Sequence, residues 1–149
     1  MHVLRAEKGF IIVGQETDGT ATPDDVGLSW AIGKKKRDFV GKRSLDRPAM
    51  RDAGRKQLVG LFTHDPNTVL EEGAQLCAAA ATHVPIPLIG HVTSAYFSPS
   101  LGRSIALAML AGGRARVGET IFVPMADGSI PVTVCGTVFI DPQGERVNG

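Results

Sequence analysis

Gly90-His91-Val92-Thr93-Ser94-Ala95-Tyr96-Phe97-Ser98-Pro99-Ser100-Leu101-Gly102-Arg103-Ser104-Ile105-Ala106-Leu107-Ala108-Met109-Leu110 reads as two strands joined by a turn. Ser98 to Gly102 carries the turn chemistry: proline fixes φ, glycine accepts a positive φ, and the serines bond nearby backbone. After it Arg103, Ile105, Leu107 and Met109 alternate with Ser104, Ala106 and Ala108. Period two means strand. The row of small side chains predicts another backbone packed close on that side. This hairpin is taken as the middle of a barrel.

Further strands are expected on either side of it. Leu58, Val59, Leu61 and Phe62 form one, and Gln75 to Ala78 another after a turn at Glu71 to Ala74. Ala79 to Pro87 is rich in alanine and proline and predicts an irregular edge. Thr120 to Met125 and Ile130 to Val138 form a second hairpin, with Asp127-Gly128 as its turn signal. Pro131 belongs at an edge or bulge. Asp141-Pro142-Gln143-Gly144 turns the chain into a polar tail. Short strands at this spacing predict an antiparallel barrel or sandwich. The fold class is α+β, mostly β, with a six-stranded antiparallel β-barrel from residue 56 onward.

Upstream the pattern differs. Leu4 to Phe10 looks like the last turns of a helix closed by Gly9. Phe10-Ile11-Ile12-Val13 reads as a buried strand. Gly14 to Asp25 is a polar loop, in which Thr22 or Asp24 caps a turn at Pro23 to Val26. Leu28 to Ile32 is a short apolar strand, and Asp38 is the N-cap of a short helix from Phe39, interrupted by Gly41 and Pro48. A chain that opens on the end of a helix reads as cut, so residues before Met1 are expected to be missing.

The totals constrain function. A chain of 149 residues suits one domain, or one plus a piece of another. The net charge of +1 gives no global field for nucleic acid, and aromatics at 5% are too sparse for base stacking. No apolar run is long enough for a membrane helix and no signal peptide is evident. Cys77 and Cys135 form no paired motif and are expected to be free thiols in a cytoplasmic protein. Sequence signatures for dinucleotide, P-loop, zinc-protease and serine-hydrolase sites are absent. His2, His64, His83 and His91 are scattered without ligand spacing, so neither a metal site nor a catalytic residue is assigned.

Two features remain open. Glu7 is either a surface acid paired with Arg5 or Lys8, or a carboxylate facing a ligand cleft. Lys34-Lys35-Lys36-Arg37 is either a solvated turn or an anchor for carboxylates or phosphates.

Motifs in sequence order bear on both. Leu4-Arg5-Ala6-Glu7-Lys8-Gly9-Phe10, Gly14-Gln15-Glu16, Thr22-Pro23, Gly27-Leu28-Ser29-Trp30 and Asp38-Phe39-Val40-Gly41-Lys42 resemble the folate-dependent aminomethyltransferase family. So do Gly90 to Ser94, Phe97 to Gly102 and Ile105 to Ala108. That family includes the glycine cleavage T-protein and the C-terminal halves of dimethylglycine dehydrogenase and heterotetrameric sarcosine oxidase. Glu7 to Gln15 and the tail Asp141 to Asn148 are similar to the α-subunit branch of the last.

The resemblance implies that residues 1–55 end a folate-binding domain and that residues 56–149 are the family's C-terminal barrel. It implies tetrahydrofolate as cofactor, capturing the one-carbon unit of sarcosine demethylation as 5,10-methylenetetrahydrofolate. Glu7 aligns with the pterin-binding glutamate, whose carboxylate suits the planar fork of pterin donors. Arg37, or Lys36 if the alignment slips by one, falls near a folate-contacting arginine. Tyr96 either lines the cleft or packs on the core. The catalytic aspartate has no counterpart here. FAD, FMN and NAD are expected elsewhere in the complex. The partners are the rest of the α subunit and the other sarcosine oxidase subunits, with no nucleic acid and no membrane. Alone, the chain is expected to be inactive, to bind folate weakly and to self-associate through apolar surface along Leu4 to Val13. The alternatives are a T-protein-like aminomethyltransferase or a non-catalytic folate-binding or assembly module.

Overall fold

The computed structural model describes residues 1–33, 35–80, 85–126 and 128–147. Its centre is a closed six-stranded antiparallel barrel, β1 (Lys56–Thr63), β2 (Gln75–Cys77), β3 (Leu88–Ser98), β4 (Arg103–Ala111), β5 (Thr120–Met125) and β6 (Gly128–Cys135), ordered β1-β4-β3-β2-β5-β6. β4 runs between β1 and β3, and a single pair, Cys77 with Phe122, joins β2 to β5. Closure removes the open edges that would otherwise template aggregation.

Every strand contributes to the interior. Val59, Leu61, Leu76, Val92, Ala106, Ala108, Leu110, Ile121, Val123, Val132 and Val134 form one buried cluster. The small row of β4 therefore faces the barrel lumen, not a second backbone. A barrel this narrow has room for alanine at facing positions and for larger groups only in alternation. The large row has its own partner. Ile105, Leu107 and Met109 join Leu58, Ala6 and Val26 in a second cluster outside the barrel. Both faces of β4 are thus buried, and the N-terminal segment supplies the outer cover.

Turns follow the sequence closely. Ser98 pairs with Arg103, leaving Pro99 to Gly102 as the connection, with Gly102 at positive φ. Pro131 sits just past Val132, where the β1–β6 ladder ends, so its missing N–H costs no ladder bond there. Gly128 pairs with Met125, and the Asp127 half of the turn signal lies outside the described residues. Much of the Ala79 to Pro87 edge, His83 included, also lies outside them. β6 stops at Cys135 because the chain peels away: the Phe139 and Ile140 N–H groups donate to the carbonyl of Glu7.

The first 55 residues differ from expectation more often. α1 spans His2–Glu7 and closes at Gly9 (φ +70), with the Gly9 and Phe10 N–H groups donating to Ala6 and Arg5. A β-carbon at Gly9 would lie 2.6 Å from the Thr137 carbonyl oxygen, so only glycine lets the two segments meet. Phe10 to Val13 is not a buried strand. Phe10 is 67% and Val13 85% exposed, and the Ile12 N–H is taken by the Glu16 side chain instead of a neighbouring strand. Leu28 to Ile32 is likewise no strand but a 3-10 turn at Ser29–Ala31, with Trp30 78% exposed. The helix assigned to Phe39 onward shrinks to α2 (Lys42–Leu45), capped by Gly41 in the left-handed region, while Asp38 accepts the N–H of the next residue. At Thr22 and Asp25 each side chain accepts the other's backbone N–H, and Asp25 caps the turn jointly with Thr22. No helix among the described residues is long and apolar enough to cross a membrane.

Candidate functional site

β3 sets the site's geometry. Its register shifts between Val92 and Ser94, so Val92 faces the lumen with Ala108 while Ser94 faces outward with Leu107. A bulge of this kind reverses which residues point in. From there Ser94, Tyr96 and Ser98 form one outward row of hydroxyls. α1 and the loop after it lie against that row.

Glu7 meets its far end. The residue is 5% exposed, and Ser98 donates a 2.6 Å hydrogen bond to its Oε1. Ser98 Oγ in turn accepts the Leu101 N–H at 3.2 Å. The surface pairing considered for Glu7 does not occur. Lys8 bonds the Asp141 carboxylate at 3.1 Å, and Arg5 is committed to Glu16.

Arg5 occupies the near end. It lies 3.0 Å from Glu16 and donates to Ser94 Oγ at 2.6 Å and to Tyr96 Oη at 3.2 Å, with its guanidinium over the Tyr96 ring. Ser94 also donates to Glu16, and the Ile12 N–H completes the carboxylate's shell at 2.7 Å. Burial pushes the Glu16 carboxyl up, but Ser94, the Ile12 N–H and Arg5 outweigh it and hold the acid below its ordinary range. Burial likewise works against the Arg5 charge, and Glu16 with Tyr96 raises its pKa regardless. Tyr96 is half-buried, with its hydroxyl occupied by Arg5.

Sequence reasoning passed over Glu16, which sits in a polar loop with no spacing to mark it as buried. Its one sequence signal is the Gly14-Gln15-Glu16 triplet, one of the motifs that carry the resemblance noted above.

Lys36 and Arg37 lie on an exposed segment, where the Arg37 carbonyl accepts Lys42 Nζ at 2.7 Å. Among the described residues, no hydrogen bond or ion pair joins either to Glu7 or Tyr96. The structure thus gathers Glu7 and Tyr96 on one face of β3 and leaves the two cations apart from them, open to solvent.

A cavity of about 480 Å³ that shares Glu16 with this cluster lies between the 14–21 loop and the outer faces of β1, β3 and β4, lined also by Gln15, Asp18, Arg55, Lys56 and His91. None of the four candidate residues lines it. Arg55 spans its floor to Asp25 at 2.6 Å, and this pairing with the Thr22 bonds holds Asp25 low despite its burial. Burial and then Lys56 lower the His91 pKa. Burial raises the Cys77 thiol and pushes Cys135 up to about 12, which disfavours the thiolate form of both.

Comparison with known proteins places these features in context. Residues 56–141 match the glycine cleavage T-protein C-terminal barrel domain. The chain is 49% identical to sarcosine oxidase subunit alpha of Corynebacterium sp. (strain P-1), over 100% of this chain and 16% of that protein. It is 38% identical to the Rhizobium meliloti (strain 1021) subunit alpha over 99% of this chain. An aminomethyltransferase of Cupriavidus pinatubonensis (strain JMP 134 / LMG 1197) is 36% identical over 92% of this chain and 34% of its own length. The crystal structure of glycine cleavage system aminomethyltransferase T from Bartonella henselae superposes with a TM-score of 0.77 at 26% identity, covering 94% of this chain and 38% of that one. The chain thus spans 16% of the first of these relatives.

Proposed function

Because the chain belongs to the glycine cleavage T-protein C-terminal barrel family, we propose that it is part of a sarcosine oxidase α subunit and supplies one wall of a tetrahydrofolate site. The observation that carries the reading is the 49% identity across the whole chain. The aminomethyltransferase match is lower, at 36% over 92% of the chain, which favours the oxidase branch. Within it, residues 1–55 end the folate-binding domain and residues 56–149 form the barrel behind it.

The residues present suit such a ligand. Glu7 has one oxygen held by Ser98, and among the described residues no side chain donates to the other. A pterin offers adjacent N–H donors, which a fixed carboxylate accepts. Burial removes competing water and makes such a bond worth more than at a surface. Arg37 or Lys36, exposed and unpaired with any acid among the described residues, would meet the ligand's glutamyl carboxylates. Tyr96 would form apolar wall, since Arg5 occupies its hydroxyl. Bound tetrahydrofolate supplies the two amines that capture the one-carbon unit released by sarcosine oxidation. Flavin and nicotinamide sites belong to other parts of the assembly.

Glu7→Gln in the intact assembly tests the reading. Folate affinity is expected to fall by about tenfold or more, the scale of a lost bond to a charged acceptor, and free formaldehyde to accumulate. Unchanged affinity would overturn it. The chain by itself is expected to show no turnover and only weak folate binding by titration calorimetry; low-micromolar affinity would contradict the one-wall assignment.

A further inference from the structure

Glu7 is not held by its own helix alone. α1 is a six-residue helix whose end is pinned by the backbone: the Glu7 carbonyl accepts both the Phe139 and Ile140 N–H groups. That fixes the Cα but leaves the side-chain torsions to be set by what the carboxylate touches. Among the described residues, one side chain touches it through a hydrogen bond, and that is Ser98.

Ser98 is unusually constrained. It is fully buried, it is the last residue of β3, and its register partner is Arg103 across the hairpin. Its oxygen accepts the Leu101 N–H from inside the Pro99 to Gly102 turn. A hydroxyl has one proton to give. With Leu101 donating into the oxygen, that proton points to Glu7 Oε1 at 2.6 Å. The hairpin turn therefore orients Ser98, and Ser98 orients the acid. Arg5 and Lys8, the neighbouring cations on α1 and at its cap, are both committed elsewhere and do not compete.

We propose that Ser98 is a positioning residue for ligand recognition: it fixes one oxygen of Glu7 so that the other is presented, in a single orientation, to a ligand carrying N–H donors. The inference rests on the folate reading of Glu7 above. It assigns to the turn of the barrel hairpin, through Ser98, part of the site's specificity. A ligand offering an acceptor or a second anion at this point meets a carboxylate that cannot turn away. A ligand offering donors meets an acceptor whose orientation is already set, so little side-chain entropy is lost on binding.

The test is a double-mutant cycle in the intact assembly, with tetrahydrofolate as the probe under anaerobic conditions and affinity read by calorimetry. Thermal melts of each variant check folding. Ser98→Ala is expected to weaken binding by about tenfold, the scale of a bond to a charged group. In the Glu7→Gln background, Ser98→Ala is expected to add less than about twofold, because its effect runs through the acid. A serine that merely stabilised the hairpin would give the same loss in both backgrounds, and that additive result would overturn the proposal. So would unchanged affinity in Ser98→Ala while Glu7→Gln binds weakly; the folate reading would then survive alone. Unchanged affinity in Glu7→Gln defeats both. Should Ser98→Ala melt too early to assay, Ser98→Cys, close in volume but a weaker donor, takes its place in the cycle with the same expectations.

Discussion

The barrel and the 55 residues before it are built on different physics. Residues 56–135 close six strands around a lumen of aliphatic side chains. Among the described residues, the N-terminal segment has two short α-helices and buries few large side chains of its own. Its order comes from polar fastenings: Arg5–Glu16–Ser94, Glu7–Ser98, Asp25–Arg55 and Lys8–Asp141. All four reach the barrel or the segments that flank it. Apolar burial is non-directional and tolerant, so it makes a scaffold. Charge-assisted hydrogen bonds are directional, so they place groups. A site that must present a carboxylate in one orientation belongs in the second kind of structure, braced against the first.

The largest effect is expected from the barrel. Leu61 is wholly buried in the lumen, and Leu61→Ala should cost about 3 kcal/mol in urea denaturation, with one cooperative loss of signal across the whole chain. A loss confined to the N-terminal segment would erase the division drawn here. Glu16→Ala comes next. It strands the Arg5 guanidinium, which is mostly out of solvent, and should cost about 2 kcal/mol, below the range for a fully buried pair. Hydrogen exchange should show residues 10–25 losing protection while β1 and β4 keep theirs. Equal loss in the barrel would mean the fastenings support the scaffold as well.

Acid should separate the two regions gradually. The folded His91 pKa is depressed below 6.5, so the unfolded chain binds that proton first and stability begins to fall as pH drops below about 6.5. Glu16 and Asp25 are also depressed; their contribution is complete above the usual carboxylate range and is lost as pH falls through their folded values. Among the described residues, the side chains that fill the barrel lumen are aliphatic. Exchange at residues 10–25 is therefore expected to accelerate at higher pH than exchange in β4. The smallest effect is expected at Trp30, which stands 78% exposed: Trp30→Ser should shift stability of the chain by less than about 0.5 kcal/mol.

The same division explains what could be read in advance. Alternation at Arg103 to Met109, the turn at Ser98 to Gly102 and the placement of Pro131 are local signals, and the barrel follows from them. The side on which the small row would lie did not follow, because parity alone cannot tell lumen from outer cover. The N-terminal segment misled because Phe10 to Val13 and Leu28 to Ile32 are apolar by composition, while their backbone groups are met by local turns and, at Ile12, by the nearby Glu16 side chain instead of a neighbouring strand. Gly9 was legible as a helix end. Its close approach to Thr137 was not, since that contact spans nearly the whole chain. At the site, Glu7 stood out through family resemblance. Glu16, Ser94 and Ser98 became visible only once the β3 bulge put a row of hydroxyls against α1.

The most direct test is a crystal structure of the intact sarcosine oxidase-like assembly with tetrahydrofolate bound. The account expects a pterin N–H within hydrogen-bond distance of the Glu7 oxygen that Ser98 leaves open, with the Ser98 bond intact. A pterin seated elsewhere, with Glu7 still facing Ser98 alone, would contradict it.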